Sequence, residues 1–232
     1  MTEHKTPWLS IIIPTLNEAA TIARLLLPLQ AARSAGVELV MVDGGSADNT
    51  VSESAGLVDL CLRTKAGRAW QQNAGAAAAS APLLWFVHAD TGLAGDECLR
   101  LLHLSQPCWG RFDVRLSERN WRFRLIAGLM NRRSRLTGIA TGDQGIFVSA
   151  DLFRRVGGFP DQPLMEDVEI SRRLRRYQKP VCLRTRITTS SRRWQKHGVW
   201  RTVMLMWSLR WRYFFGASPA ELHARYYQQP DL

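Results

Sequence analysis

Three short apolar runs, each cut off at its carboxyl end by polar or turn-forming residues, constrain the fold more than any other feature of the chain. Residues 8–13 (Trp-Leu-Ser-Ile-Ile-Ile) stop at Pro14, residues 37–42 (Val-Glu-Leu-Val-Met-Val) at Asp43-Gly44-Gly45, and residues 82–87 at His88-Ala89-Asp90. Apolar runs of this length between turn formers read as buried strands. Helical patterns lie between them: Ile22, Leu25, Leu26 and Leu29 after the first run, and an alanine-rich segment opening at Gly67 before the last. Residues 57–62 form a weaker strand. Parallel neighbours need a crossover between them, so this alternation predicts a parallel, doubly wound α/β sheet. Such sheets bind ligands beyond the carboxyl ends of their strands, which is where each run turns polar.

The residues at those ends are the first candidates. Thr15-Leu16-Asn17-Glu18 has capping-box spacing, so the Glu18 carboxylate either reaches back to the Thr15 amide, faces a ligand, or does both. Asp43 precedes a tight glycine turn in which Ser46 can cap the next helix, and that leaves Asp43 to accept hydrogen bonds from a base or ribose. Arg68, Gln71 and Asn73 open the alanine-rich helix, a suitable place for an anionic or amide-bearing ligand. Asp90 is a candidate metal ligand, and His88 beside it either lines the site or satisfies a strand end. Neither a GxGxxG turn nor a P-loop follows the first strand, which argues against a dehydrogenase or a P-loop enzyme.

The second half of the chain is basic. Residues 1–110 carry a net charge of −3 and residues 111–232 carry +14. Such asymmetry points to a polyanionic partner: nucleic acid, an anionic membrane face or a phosphate-bearing substrate. Residues 109–116 alternate as a strand, and residues 118–136 read as a helix with Trp121, Leu125 and Leu129 on one face. Eight arginines fall between Arg111 and Arg135, a run that reads first as a solvated face and second as a phosphate or lipid surface. Asp143 and Gln144 lie in a turn leading into a strand. Glu166, Asp167 and Glu169 occupy the first turn of a helix, where the dipole favours acids and where a carboxylate can equally serve as a general base.

A strand over residues 181–187 precedes Arg192, Arg193, Trp194 and His197, cations suited to an anionic ligand. His197 reads as a metal ligand or as an ordinary surface or core histidine. Residues 199–215 form a mostly apolar helix with a polar seam of Arg201, Ser208 and Arg212, and Arg210 nearly opposite. It packs on the domain, forms a homodimer or makes a peripheral membrane contact. Ser218 and Glu221 cap a last helix. Cys61, Cys98, Cys108 and Cys182 form no CxxC pair and read as reduced thiols. With no signal pattern and no apolar run near the ~20 residues of a membrane span, a cytoplasmic protein is expected.

Five segments carry a resemblance. Pro14-Thr15-Leu16-Asn17-Glu18, the Asp43-Gly44-Gly45-Ser46-Ala47-Asp48-Asn49-Thr50 turn, Gly67 to Gly75, His88-Ala89-Asp90 and Glu166-Asp167 resemble, in order, the blocks of the family 2 glycosyltransferases with the GT-A fold. They span roughly residues 8–175, and the joint match is specific where each block alone is weak. The chain also resembles a small bacterial subgroup named for arsenosugar biosynthesis. The resemblance implies one GT-A domain over residues 1–190, with a Rossmann-like, mostly parallel sheet, and a basic helical extension over residues 191–232. It implies inverting transfer from a nucleoside-diphosphate sugar of the UDP or GDP type to a hydroxyl acceptor, with Mg²⁺ or Mn²⁺.

Carried over by position, Glu18 and Asp43 hold the nucleoside with Pro14 and Gly44 beside them. Arg68 and Asn73 flank the base and diphosphate, and Arg192 and Arg193 face the leaving diphosphate. Asp90 matches the last carboxylate of the DxD metal motif, with His88 standing where the first Asp is usual. Asp167 matches the second residue of the ED motif and is the general base, next to Glu166. Asp143 and Gln144 border the acceptor pocket, and Trp194 and His197 line the substrate. Arg193-Trp194 resembles the end of a QxxRW motif, but Ser190 replaces its Gln, so processive synthesis is not expected. Two alternatives stay open: a nucleotidyltransferase of similar fold, which would want a Gly-rich loop after the first strand, and a non-catalytic basic module for membrane surfaces or nucleic acid. No nucleic acid is expected in the leading reading.

Overall fold

The computed structural model describes residues 6–118, 120–192, 194 and 198–227. Strands β1 (Leu9–Thr15), β2 (Val37–Asp43), β3 (Leu60–Arg63), β4 (Leu83–Phe86), β5 (Trp109–Leu116), β6 (Phe147–Ser149) and β7 (Val181–Thr189) form one sheet in the order β3-β2-β1-β4-β6-β5-β7. Only β6 runs against its neighbours. Leu9 of β1 sits beside Val37 and Thr15 beside Asp43, while Ser10 sits beside Leu84 on the other edge of β1. The order therefore reverses between β1 and β4, and their carboxyl ends open the crevice that such a reversal creates.

Side chains of a strand alternate between faces, and here both faces are covered. Ile11, Ile13, Leu39, Met41 and Trp85 join one core with helix α1 (Ala19–Leu26). Ile12, Val40, Val42, Leu84 and Phe86 join the other, with α4 (Arg68–Ala78), α6 (Ala150–Arg155) and α7 (Glu166–Leu174). Short helices α2 (Gln30–Ser34) and α3 (Thr50–Glu53) complete the first half, and α5 (Trp121–Thr137) lies between β5 and β6. A Cβ on Gly75 of α4 would stand 2.5 Å from the Ile12 Cγ2 and 3.0 Å from the Val42 Cγ2, so the missing side chain sets how closely α4 lies on the sheet.

Several local expectations are corrected. The Thr15–Glu18 capping box does not form: β1 continues through Thr15, Asn17 takes a left-handed turn with φ 54°, and α1 starts only at Ala19. The Glu18 carboxylate accepts instead from Thr21 Oγ1 at 2.6 Å. Ser46 does not cap a helix either, because α3 begins at Thr50 and the Ser46 amide and hydroxyl both donate to Asp43. The weak strand starts at Leu60 rather than residue 57.

On α5 Trp121, Leu125 and Leu129 share one face as expected and are exposed, while the buried side is Phe123, Ile126, Ala127, Asn131 and Ser134. The arginine run is not one solvated face: Arg111 is buried on β5 and pairs with Asp113, which also receives Arg135 at 2.8 Å.

The C-terminal helices, Val199–Phe214 and Pro219–Tyr227, pack by Leu209 and Leu222 on Leu164 and Met165, and by Val199 and Val203 on the Leu116, Phe123 and Ile126 cluster. The Ser218–Glu221 cap forms as expected, with the Glu221 amide donating to Ser218 Oγ at 3.2 Å. Trp200, Met204, Trp207, Trp211 and Phe214 remain exposed at helical spacing. Among the described residues no helix is long and apolar enough to cross a membrane. All four cysteines are free.

Candidate active site

Beyond the ends of β1 and β4 lies a cavity of about 1310 Å³. That exceeds the roughly 300–1,000 Å³ of an ordinary ligand site and leaves room for two substrates. One wall is built from Pro14 near the end of β1, Glu18 after it, Arg68 at the start of α4, and His88 and Asp90 after β4. The facing wall comes from α5, the start of α7 and the C-terminal helices.

Two tethers aim the polar groups. The amide of Gly92 donates to the Thr188 carbonyl at 2.7 Å and the Thr188 amide returns a bond at 3.0 Å, tying the loop after β4 to the end of β7. Arg192, just beyond β7, thereby reaches both Glu18 Oε2 at 3.2 Å and Asp90 Oδ2 at 3.3 Å. Burial works against its charge, but hydrogen bonds and charge from Glu18 and Asp90 outweigh it and raise the Arg192 pKa.

The second tether is Asp167 Oδ2, which accepts the Gly142 amide at 2.9 Å and so joins α7 to the turn before β6. A Cβ on Gly142 would come within 2.6 Å of His88 Nε2, so this turn can lie against the His88 ring only because the residue is glycine. His88 Nδ1 stands 3.5 Å from Asp143 Oδ1. Burial would raise the Asp143 carboxyl, but the bond and charge from His88, with Arg68 and Arg210, hold it below its ordinary value.

Met165 precedes α7 with φ 67°, one of two non-glycine residues with positive φ among those described; the other is Asn17. Conformations of this kind cost on the order of 1–3 kcal/mol and persist where surrounding packing imposes them. Both flank the cavity. The turn at Met165 delivers Glu166, 5% exposed, and Asp167 to the same wall. Burial first, and then the Asp167 charge, push the Glu166 carboxyl up to about 7 against the pull of Arg68. At Arg68 the effect of burial is outweighed by nearby acidic groups, among them Glu166 and Asp143, and its pKa is raised.

Other sequence candidates are placed behind the cavity. Asp43, 2% exposed, accepts from the amides of Gly45 and Ser46 and from the Ser46 hydroxyl, so it organises its own turn, with Gly44 packed on Gln71 and Ala66. Asn73 exchanges two bonds with the Phe159 backbone. The fully buried Gln144 closes a capping box with Thr141 and donates to Ser134. Gln71 borders the cavity but gives its amide to the carbonyls of Thr15 and Val42, locking the ends of β1 and β2. Of the polar residues opening α4, Arg68 is left for a ligand. Trp194 lines the cavity, and Arg193 and His197 lie outside the described residues.

Two cavity cations were not singled out by sequence. Arg133 of α5 and Arg210 of the Val199–Phe214 helix both face the space beside Asp167 and Asp143. Nε and Nη2 of Arg133 are buried without a partner among the described residues. Burial, followed by the charge of Arg210, pushes Arg133 down to about 10. The helical spacing of residues 126, 129, 130, 133 and 136 was the available signal.

Asp90 and Glu18 supply hard oxygen ligands and share one cation, Arg192. Among the described residues no three His, Cys, Asp or Glu side chains are grouped to hold an ion alone. A Mg²⁺-type ion needs only one or two carboxylates when phosphate oxygens and water complete its shell, so the residues fit such an ion on those terms.

A crossover sheet with a switch-point cavity flanked by carboxylates and arginines defines a nucleotide-handling α/β protein. Residues 10–148 match the profile of glycosyl transferase family 2, and the chain belongs to that family. Among solved structures it resembles TarS of S. aureus, residues 1–349 in complex with UDP, with TM-score 0.62 and 18% identity over 78% of this chain and 60% of that one. It also resembles the mannosyltransferase PcManGT of Pyrobaculum calidifontis in complex with GDP-Man and Mn²⁺, with TM-score 0.59 and 20% identity over 80% of this chain and 57% of that one. The fold is that of the GT-A glycosyltransferases, and the chain spans about three fifths of the length of these two proteins. No match was found among curated proteins.

Proposed function

We propose that the protein is an inverting glycosyltransferase that moves a sugar from a nucleoside-diphosphate sugar of the UDP or GDP type to a hydroxyl acceptor. The observation that carries this reading is the sharing of one cavity by the Asp90–Arg192–Glu18 cluster and the Glu166–Asp167 pair. The ligands named for TarS and PcManGT support the donor class and the ion.

In this reading Pro14 and Glu18 receive the nucleoside, while Asp43 and Gly44 shape the turn behind it. Arg68 and Arg192, with Arg193 next in sequence, balance the diphosphate. Mg²⁺ or Mn²⁺ held at Asp90 would add neutralising charge where the leaving diphosphate develops its own. Asp167, fixed by the Gly142 amide, takes the acceptor hydroxyl proton as the oxygen attacks the anomeric carbon. The new glycosidic bond forms while the bond to the diphosphate breaks, and this single displacement inverts the centre. His88 holds Asp143 at the acceptor side.

Residues 1–190 form the catalytic domain and residues 191–232 an extension that completes its wall. The +14 charge of residues 111–232 and the exposed Trp200, Trp207 and Trp211 favour a peripheral contact with an anionic, cytoplasmic membrane face over a homodimer.

The test is a thermal-shift titration with UDP and GDP, with and without Mn²⁺, followed by turnover of the stabilising donor. A ligand that binds the folded state raises its melting temperature. Asp167→Asn should keep that shift and lose about 10²–10⁴-fold in turnover. Wild-type turnover in the variant would remove Asp167 as the base.

A further inference from the structure

Two helices line the wall of the cavity that faces Asp90, and each carries an arginine within an apolar stripe, with Arg132 of α5 beside its stripe. On α5 the stripe is Leu129, Arg133 and Leu136, and on the Val199–Phe214 helix it is Val203, Met206 and Arg210. The spacings of three, four and seven put each set on one helix face.

The two arginines are held close enough to feel one another, and both are attracted by Asp167 and Asp143 without an ion pair to either among the described residues. Two buried nitrogens of Arg133 have no partner among those residues. A buried, unpartnered cation is costly, so a site that keeps Arg133 in this state with Arg210 nearby, beside the base, is arranged for an anion that arrives with the substrate. Leu129 and Leu136 are 52% and 76% exposed and carry the apolar wall outward from the arginines. A hydrocarbon chain would be covered by that apolar stripe.

We propose that the acceptor is an amphipathic lipid whose phosphate-bearing, hydroxylated head group sits on Arg133 and Arg210 while its apolar chain runs between the two helices. The head's hydroxyl then faces Asp167. This inference rests on the glycosyl-transfer reading above.

The experiment measures calorimetric binding of three soluble probes to the full chain: dihexanoyl-phosphatidylglycerol, dihexanoyl-phosphatidylcholine and glycerol 3-phosphate. UDP and GDP binding are measured on the same samples. Phosphatidylglycerol should bind about tenfold tighter than either other probe, and Arg133→Gln and Arg210→Gln should each weaken it about tenfold with nucleotide affinity unchanged. Should Arg133→Gln fail to fold by circular dichroism, Arg210→Gln, on the more exposed helix, carries the same readout.

Equal binding of the two lipids would overturn the proposal, as would glycerol 3-phosphate binding as tightly as phosphatidylglycerol, since the chain would then contribute nothing. Wild-type lipid affinity in Arg210→Gln would also overturn it. A parallel loss of nucleotide binding in the variants would assign the arginines to the donor. Failure of the wild type to bind either nucleotide would instead overturn the glycosyl-transfer reading on which the proposal stands.

Discussion

Glu166 and Asp167 are adjacent in sequence but differ in what surrounds them. Asp167 accepts a hydrogen bond from the Gly142 amide. Glu166 is almost fully enclosed beside the Asp167 charge, and its carboxyl is displaced from 4.5 to about 7. The folded state therefore holds a proton that the unfolded chain releases, and stability falls as pH rises through the window between those values. Glu166→Gln removes the penalty. The variant should match the wild type near pH 4.5 and exceed it by about 3 kcal/mol above pH 8. Thermal unfolding across that range would read the difference, and a constant offset would mean that burial rather than ionisation sets the cost. In the proposed reaction a protonated Glu166 also spares Asp167 a second negative neighbour while it acts as base.

At the scale of elements, close approach of α4 to the sheet holds Arg68 over the strand ends. Gly75→Val places methyl groups where Ile12 and Val42 already lie, and overpacking of this kind costs about 1–3 kcal/mol. The urea midpoint should fall accordingly, and Gly75→Val combined with Ile12→Ala should recover part of the loss if the clash is the cause.

Strand and helix order was legible in the sequence because period and punctuation are local signals. So was Ser218–Glu221, where the cap spacing coincides with a helix start. The same spacing failed at Thr15–Glu18, since pairing of Thr15 with Asp43 kept the residue in the sheet and the turn at Asn17 delayed the helix. Asn73 was read as ligand-facing because its partner, the Phe159 backbone, is assigned only by the tertiary fold, whereas Asp43 is held by Ser46, three residues on in the same turn. Which apolar face of α5 is covered was not legible for a similar reason. Periodicity gives two apolar stripes on that helix, and the packing partner, absent from a local pattern, decides which one is covered.

For the molecule as a whole, charge and exposed aromatic surface coincide. The basic second half carries Trp200 and Met204, 62% and 69% exposed and outside the cavity lining. Vesicles of mixed phosphatidylglycerol and phosphatidylcholine should sediment the protein at low salt and release most of it at about 1 M salt, where the Debye length is ~3 Å. Trp200→Ser with Met204→Ser should weaken that association while leaving the nucleotide-induced thermal shift in place. Salt-insensitive sedimentation would argue against an electrostatic contact.

The cavity wall has a further consequence for specificity. The family match ends at residue 148, yet Glu166, Asp167, Arg192 and Arg210 come from beyond it. The matched portion supplies acids and cations to the cavity, Glu18, Asp90 and Arg133 among them, and the rest of the chain supplies the others. Two proteins alike over residues 10–148 alone can therefore share the sheet and part of this cavity while differing in every acid and cation that the later residues bring to it.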